Sequence, residues 1–287
     1  MISRIRGIYM ASPRQFRKNG IKCVIGVLIA ALFLFPLYWL VITSLKSDTE
    51  TFAKVLTYFP HDLTLEAWKL QVGQSDFLHT LRNSVIIALL TMCISLVVGI
   101  PAAYAVGRYQ FRGVKIVLLV FLVTQMMPSS LLLTPLYLIF SNVGLLNTFL
   151  APAIAVASGA IPFIVITLRP YFMNLPKSLE DAALIDGCNP FTSFLFVMVP
   201  TIKSGIITVI TISFLQGWND LVYSMTFNTD STMRPLTANI HKFISAYGTK
   251  WNAIMAYGLF LVIPVVLIFV FLQKYIVGGM TAGAVKE

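Results

Sequence analysis

Charge is what this 287-residue chain has least of. Asp, Glu, Lys and Arg together make up 11% of it, where a soluble globular domain carries roughly 25%. With 57% hydrophobic residues and a mean hydropathy of +0.84, the composition excludes an ordinary water-soluble fold and implies a polytopic membrane protein. Cysteine is scarce too. Cys23, Cys93 and Cys188 stand far apart with no CxxC or CxxH pair, so neither a disulfide framework nor a zinc site is expected. His61, His79 and His241 have no matching ligand set, and no metal is assigned to them. No GxxxxGK[ST] run occurs, so the phosphate cradle of a nucleotide-hydrolysing enzyme is missing from the sequence. No catalytic residue and no cofactor are expected in this chain. The formal charge of +10 comes without a nucleic-acid module. It reads instead as topology, because Lys and Arg collect on the cytoplasmic side of a membrane.

Long apolar runs take the place of the missing charge. The intervals Lys22 to Lys46, Arg82 to Arg108 and Lys250 to Lys274 enclose 23, 25 and 23 uncharged residues. Each exceeds the roughly 20 residues a helix needs to cross the hydrocarbon core. Lys115 to Arg169 encloses 53, and Ser141-Asn142-Val143-Gly144 with Asn147-Thr148 supplies turn chemistry near its middle. The expectation is six spans, at about 23–45, 82–107, 116–141, 148–170, 204–227 and 252–273. They form a transmembrane domain over 23–277 between a basic tail (1–22) and a short C-terminal tail (278–287). The first apolar run is too long for a signal peptide and no small-residue cleavage site follows it, so it is read as a retained helix.

Fourteen of the 21 bases fall in the N-terminal tail, the even-numbered loops and the C-terminal tail, among them Arg14, Arg17, Arg108, Arg112, Lys177 and Lys203. Both termini are therefore placed in the cytoplasm. The segments 47–81 and 228–251 face outward and hold Asp48, Glu50, Asp62, Glu66, Asp76 and Asp230.

One polar stretch interrupts this pattern. In Pro176 to Gly187, Ser178 with Asp181 three residues on reads as a capping box at a helix start. Glu180 and Asp181 complement the positive helix end. Gly187 suits the left-handed residue that ends the helix, and Asn189-Pro190 reads as the cap and first residue of a second one. The expected local structure is two short helices joined by a sharp turn, within a loop at 174–200. An amphipathic connector lying on lipid is the plainer alternative, but such helices usually carry basic polar faces, and this one is acidic at its start.

The same stretch resembles the EAA signature of ABC importer permeases: Glu-Ala-Ala, three residues, Gly, nine residues, then Ile-x-Leu-Pro. Here Asp181-Ala182-Ala183 is followed by three residues, Gly187, nine residues and Val197-Met198-Val199-Pro200. The departures keep chemical type. Phe35-Pro36-Leu37-Tyr38-Trp39, Thr43-Ser44-Leu45-Lys46, Ala103-Tyr104-Ala105, Pro135-Leu136-Tyr137, Trp218-Asn219-Asp220 and Gly283-Ala284-Val285-Lys286 are similar to the sugar-transporting, MalG-type branch of that family. The resemblance implies an all-α polytopic protein of six helices, with the type I (MetI-like) permease fold and a cytoplasmic coupling helix. It implies a permease that forms half of the translocation pathway for a sugar, an oligosaccharide in particular, in a prokaryotic inner or plasma membrane. The implied partners are a second homologous permease, two ABC ATPase subunits that carry ATP and Mg, an extracytoplasmic sugar-binding protein and membrane lipid, with no nucleic acid. Glu180, Asp181, Ala182, Ala183, Asp186 and Gly187 become the residues expected to couple to the ATPases. A permease for another small solute and a secondary transporter working without ATP are the alternatives, and the latter has no use for such a loop.

A second polar group lies in the fifth expected span. Asp220 is the only acid inside any expected span, and an acid there usually faces the protein interior or a water-filled cavity. Gln216, Asn219, Asp220 and Tyr223 include pairs at three- and four-residue spacing, and Trp218 is available for stacking on a sugar face. Two readings stand: a lining of the sugar pathway, or a structural network that holds the outer end of the span.

The proposed topology is testable with fusions of alkaline phosphatase, which requires an oxidising compartment for its disulfides. Fusions after Leu65 and Thr237 are expected to be active, and fusions after Arg112 and Asp186 inactive. Activity at Asp186 would invert the orientation.

Overall fold

A computed structural model describes residues 13–73, 75–109, 111–245 and 248–282. The outermost parts of both expected tails, including Arg4, Arg6 and the Gly283–Lys286 motif, lie outside these residues. In chain order the helices are α1 (Pro13–Ser44), α2 (Asp48–Thr51), α3 (Glu66–Val72), α4 (Ser75–Arg108), α5 (Val114–Met126), α6 (Leu133–Asn142), α7 (Leu150–Asn174), α8 (Lys177–Ile185), α9 (Pro190–Ser193), α10 (Val199–Thr201), α11 (Lys203–Trp218), α12 (Val222–Phe227), α13 (Leu236–Asn239) and α14 (Trp251–Ala282). A two-residue ladder pairs β1 (Ile244–Ser245) with β2 (Gly248–Thr249). Otherwise the fold is all-α, as a chain in lipid must be when each backbone N–H and C=O has to find its partner within the segment.

Among the described residues the chain parts into two compact units. The smaller holds the residues up to Lys69 together with Lys250–Leu259. Here the end of α1 is tied down by polar contacts. Trp68 Nε1 donates to Ser44 Oγ (3.2 Å), Asn252 Nδ2 donates to the Lys46 carbonyl (3.3 Å), and buried Lys46 donates to the Thr57 carbonyl with its ammonium 4.9 Å from the Trp39 ring centroid. Glu50 accepts from Thr57 Oγ1 (2.6 Å) and from the His61 N–H (3.2 Å), which closes the loop after α2. The apolar length of α1 is bare: none of its most hydrophobic window is buried, and Leu32 and Phe33 are exposed.

The larger unit holds Leu70–Thr249 and the chain from Phe260 on. Its centre is the packing of α4, α7 and α11, built on Ala103, Ile164, Val165, Leu168, Phe172, Met198 and Val209. At 34 residues, α4 is roughly 51 Å long, well beyond a hydrocarbon core of about 30 Å. Its charged residues accordingly sit toward its ends, with Asp76 and Arg82 at one and Arg108 at the other. Small residues set the close approach of α11 to α4. A Cβ on Gly217 would lie 2.8 Å from Ala88 Cα, a backbone atom with no rotamer to yield. A satellite cluster of Phe140, Ala151, Ala155, Tyr223 and Phe227 joins α6, α7 and α12.

Two expected spans come out differently. The third, expected as one helix over 116–141, is α5 and α6 separated by a single 3₁₀ turn at Ser129–Leu132, with a bend of 100°. Pro128 drives the residue before it out of the helical region, and Met127 adopts φ −80, ψ 128. The fifth, expected over 204–227, ends at Trp218, and α12 starts afresh at Val222. Asp220 captures the Tyr223 and Ser224 N–H groups in place of carbonyls one turn back, and so restarts the helix. Among the described residues four helices are long and apolar enough to cross a membrane. The number rises to six if α5 with the segment 129–142, and Pro190–Thr201 with α11, each count as one bent span.

Gly217→Ala is expected to cost about 1–3 kcal/mol by overpacking the α4–α11 contact. Gly187→Ala, at φ +88 in open space, should cost about 1–2 kcal/mol, from backbone strain alone. Thermal unfolding in detergent reads both. An unchanged midpoint for Gly217→Ala would mean the two helices are not held this close.

Candidate coupling site

The polar hairpin lies between α7 and α11 and is built as the sequence suggests at its turn. Helix α8 ends in a Schellman arrangement. Gly187 takes φ +88, its N–H donates to the Leu184 carbonyl (3.1 Å), and the Cys188 N–H reaches back to the Ala183 carbonyl (3.0 Å). Asn189 then caps α9 by accepting from the Thr192 N–H (2.9 Å), with Pro190 at the first helical position. The start of α8 departs from expectation. Its cap residue is Pro176, no side chain caps it, and Ser178 is a residue of the first turn. The capping box of Ser178 and Asp181 does not form, because the helix begins one residue before Ser178 and leaves Asp181 exposed.

Glu180 bonds away from its own helix. Its carboxylate turns toward the last turn of α4. One oxygen, Oε2, accepts from both Arg108 Nη2 (2.6 Å) and Arg108 Nε (3.1 Å), and the other accepts from the Tyr104 hydroxyl. A third guanidinium donor, Nη1, reaches the carbonyl of Leu175, which closes α7 (2.7 Å). The Arg108 side chain is 7% exposed and that of Glu180 26%. Desolvation pushes the Glu180 carboxyl up. The hydrogen bonds from Tyr104 and Arg108 and the guanidinium charge outweigh it and hold the group below its ordinary value. The Tyr104 ring packs against Phe172 (5.3 Å between centroids) and Phe194 (4.9 Å), so the polar joint rests on the apolar core.

This sorts the six expected coupling residues by direction. Glu180 and Ala183 face inward, Glu180 to Arg108 and Ala183 into the protein. Asp181, Ala182, Asp186 and Gly187 face outward. With them stand Leu184, Ile185 (85% exposed) and Phe191 (69% exposed), which the sequence reading did not single out as contacts. Exposed acids interspersed with three bare apolar side chains suit contact with another protein. Tyr104 and Arg108 were also missed. Their signal is their spacing: four residues apart, they share one face of the last turn of an apolar helix.

The residues of the second polar group lie together, but mostly inside the protein. Trp218 is 1% exposed, its Nε1 donates to the Leu261 carbonyl (3.1 Å), and its ring stacks on Phe214. No face of it is open to a ligand. Asp220 accepts from the Tyr223 N–H (3.3 Å), the Ser224 N–H (2.8 Å) and Ser224 Oγ (2.7 Å). The Tyr223 hydroxyl donates to the Ser129 carbonyl (3.4 Å), across to the turn between α5 and α6. Gln216 is half-buried and Asn219 exposed. The geometry of Trp218, Asp220 and Tyr223 is that of the structural network.

Residues 95–282 match the family model described as binding-protein-dependent transport system inner membrane component. The diacetylchitobiose uptake system permease protein DasC of Streptomyces coelicolor is 29% identical over 263 residues, 92% of this chain and 95% of its own length. The trehalose/maltose transport system permease protein MalG of Thermococcus litoralis is 30% identical over 268 residues, 93% of this chain and 96% of its own. Among solved structures, a chain of a bacterial ABC transporter involved in the import of the acidic polysaccharide alginate superposes with a TM-score of 0.77. It covers 92% of this chain and 98% of its own at 20% identity, which speaks to fold alone. The hairpin, the helices that hold it and these matches together place the chain in the family of binding-protein-dependent transport system inner membrane components, as a permease subunit of an ABC importer.

Proposed function

We propose that this chain forms half of a sugar pathway in a prokaryotic inner or plasma membrane, with both termini in the cytoplasm, and that the hairpin tip docks on an ATPase subunit. The partners are a second, homologous permease, two ATPase subunits that hold ATP and Mg, and an extracytoplasmic binding protein that delivers the sugar. Support for the substrate class comes from relatives named for saccharides, diacetylchitobiose and trehalose/maltose among them. An oligosaccharide is the substrate we favour. The observation that carries the docking is the outward face of α8 and α9. Asp181 and Asp186 bracket exposed Leu184 and Ile185 in α8, Phe191 of α9 is exposed as well, and none of the described residues covers them.

The mechanism is alternating access. ATP draws the two motor subunits together, the hairpin seated on one of them moves with it, and α7 and α11 follow because they are continuous with the hairpin. ATP can drive this cycle only by contacting the two conformations unequally, and the tip is where that inequality is felt. Within the second polar group, Gln216 and Asn219 remain able to meet a sugar, while Trp218, Asp220 and Tyr223 hold α12 in place.

Ile185→Asp should reduce the ATPase subunit that co-purifies by about tenfold or more, as loss of a central apolar anchor does at other interfaces, while the variant itself stays in the membrane. Uptake by the assembled transporter in proteoliposomes should be competed by oligosaccharides and not by amino acids. Competition by amino acids alone would overturn the substrate class. Undiminished assembly of Ile185→Asp would overturn the docking face.

A further inference from the structure

We propose that Arg108, with Tyr104, is a positioning residue for coupling: through Glu180 it carries the motion of the hairpin into α4, a helix far from it in the chain. This rests on the reading of the hairpin as the motor-docking element. The hairpin is covalently continuous with α7 and α11 only. Helix α4 lies 72 residues earlier, counted from Arg108 to Glu180, and its other meeting with the hairpin is apolar packing, such as the Tyr104 ring against Phe194. The joint is specific. Three guanidinium donors are spent, two on one carboxylate oxygen and one on the carbonyl that ends α7, and the other carboxylate oxygen is taken by Tyr104. Three elements, α4, α7 and α8, are thus locked at one point.

Two features make the joint stiff. Charge-assisted bonds with a planar guanidinium resist rotation better than an ammonium would, since the fork geometry is fixed. Arg108 is also almost entirely enclosed, so pulling Glu180 away strands a buried positive charge and costs far more than parting an exposed pair. A hairpin displaced by its motor therefore moves α4 before the joint breaks. Helix α4 packs along both α7 and α11, so its movement shifts the whole three-helix core. Glu180 is occupied within its own chain, which assigns it to the inside of the machine and leaves Asp181 and Asp186 for the partner.

The test uses the complete transporter, with its partner permease, ATPase subunits and binding protein, in proteoliposomes. Sugar imported and ATP hydrolysed are measured together. Glu180→Gln, Arg108→Lys and the milder Tyr104→Phe leave the docking tip untouched. All three should assemble and hydrolyse ATP. Sugar moved per ATP should fall about tenfold for the first two, within the span of ordinary coupling energies, and less for Tyr104→Phe. The exchanged pair Arg108→Glu with Glu180→Arg should recover part of the ratio. The inference is overturned if the ratio stays at the wild-type value in Glu180→Gln, or if every loss of import is matched by an equal loss of assembled complex. Failure of the wild-type chain to assemble with any ATPase would instead remove the docking reading on which the inference stands.

Discussion

A guanidinium enclosed at the end of an apolar helix needs a partner, and much of the larger unit is arranged around giving it one. Arg108 closes α4, where a cation complements the carbonyl-rich end of the helix. Burial then demands that its donors be met, and Glu180 and the Leu175 carbonyl meet them. To bring Glu180 there, α8 starts at Lys177 and turns its Glu180–Ala183 side inward. That rotation decides which residues are left for the outside: Asp181, Leu184, Ile185 and Asp186. One buried charge thereby sets both the attachment of the hairpin and the identity of its exposed surface.

The rest of the larger unit makes that attachment consequential. The three core helices approach closely because small residues line their contacts, in a setting where tight van der Waals packing replaces the hydrophobic drive available in water. Core packing of this density does not deform smoothly, so a displacement at one end is passed along. The apolar lengths of α1 and α5 have the opposite character. Leu32, Phe33, Ile116 and Leu119 are exposed, and a surface of that kind is stable only against lipid or another membrane subunit. A close-packed helical core and bare apolar helices both suit a permease subunit embedded in a bilayer.

The hairpin was the most legible part of the sequence, for a physical reason. Gly187 and the Asn189-Pro190 pair act through local backbone geometry, and both take the conformations their chemistry prefers. The capping box failed because α8 begins at Lys177, which puts Ser178 inside the first turn and leaves Asp181 exposed, while the carboxylate of Glu180 bonds to a charge 72 residues away. Pro128 and Asp220 were visible as residues, yet their effect on helix continuity depended on neighbours. Pro36, Pro101, Pro162 and Pro264 lie inside unbroken helices, whereas Pro128 ends one. Trp218 looked like a stacking platform by type and spacing, and proved to be enclosed once Phe214 and the Leu261 carbonyl closed on it.

What the sequence by itself determined is whatever the short range governs: a chain too poor in charge to fold in water, apolar runs of membrane-spanning length, and a polar hairpin with its turn chemistry in place. The tertiary structure alone decided which side of that hairpin turns inward and which is left exposed. It made Arg108 a partner instead of a topological marker, and turned the acid in the fifth span into the anchor of a new helix. Hydrogen bonds between segments far apart in the chain settle these matters, and a buried charge or carboxylate takes whichever partner the packed helices bring within reach.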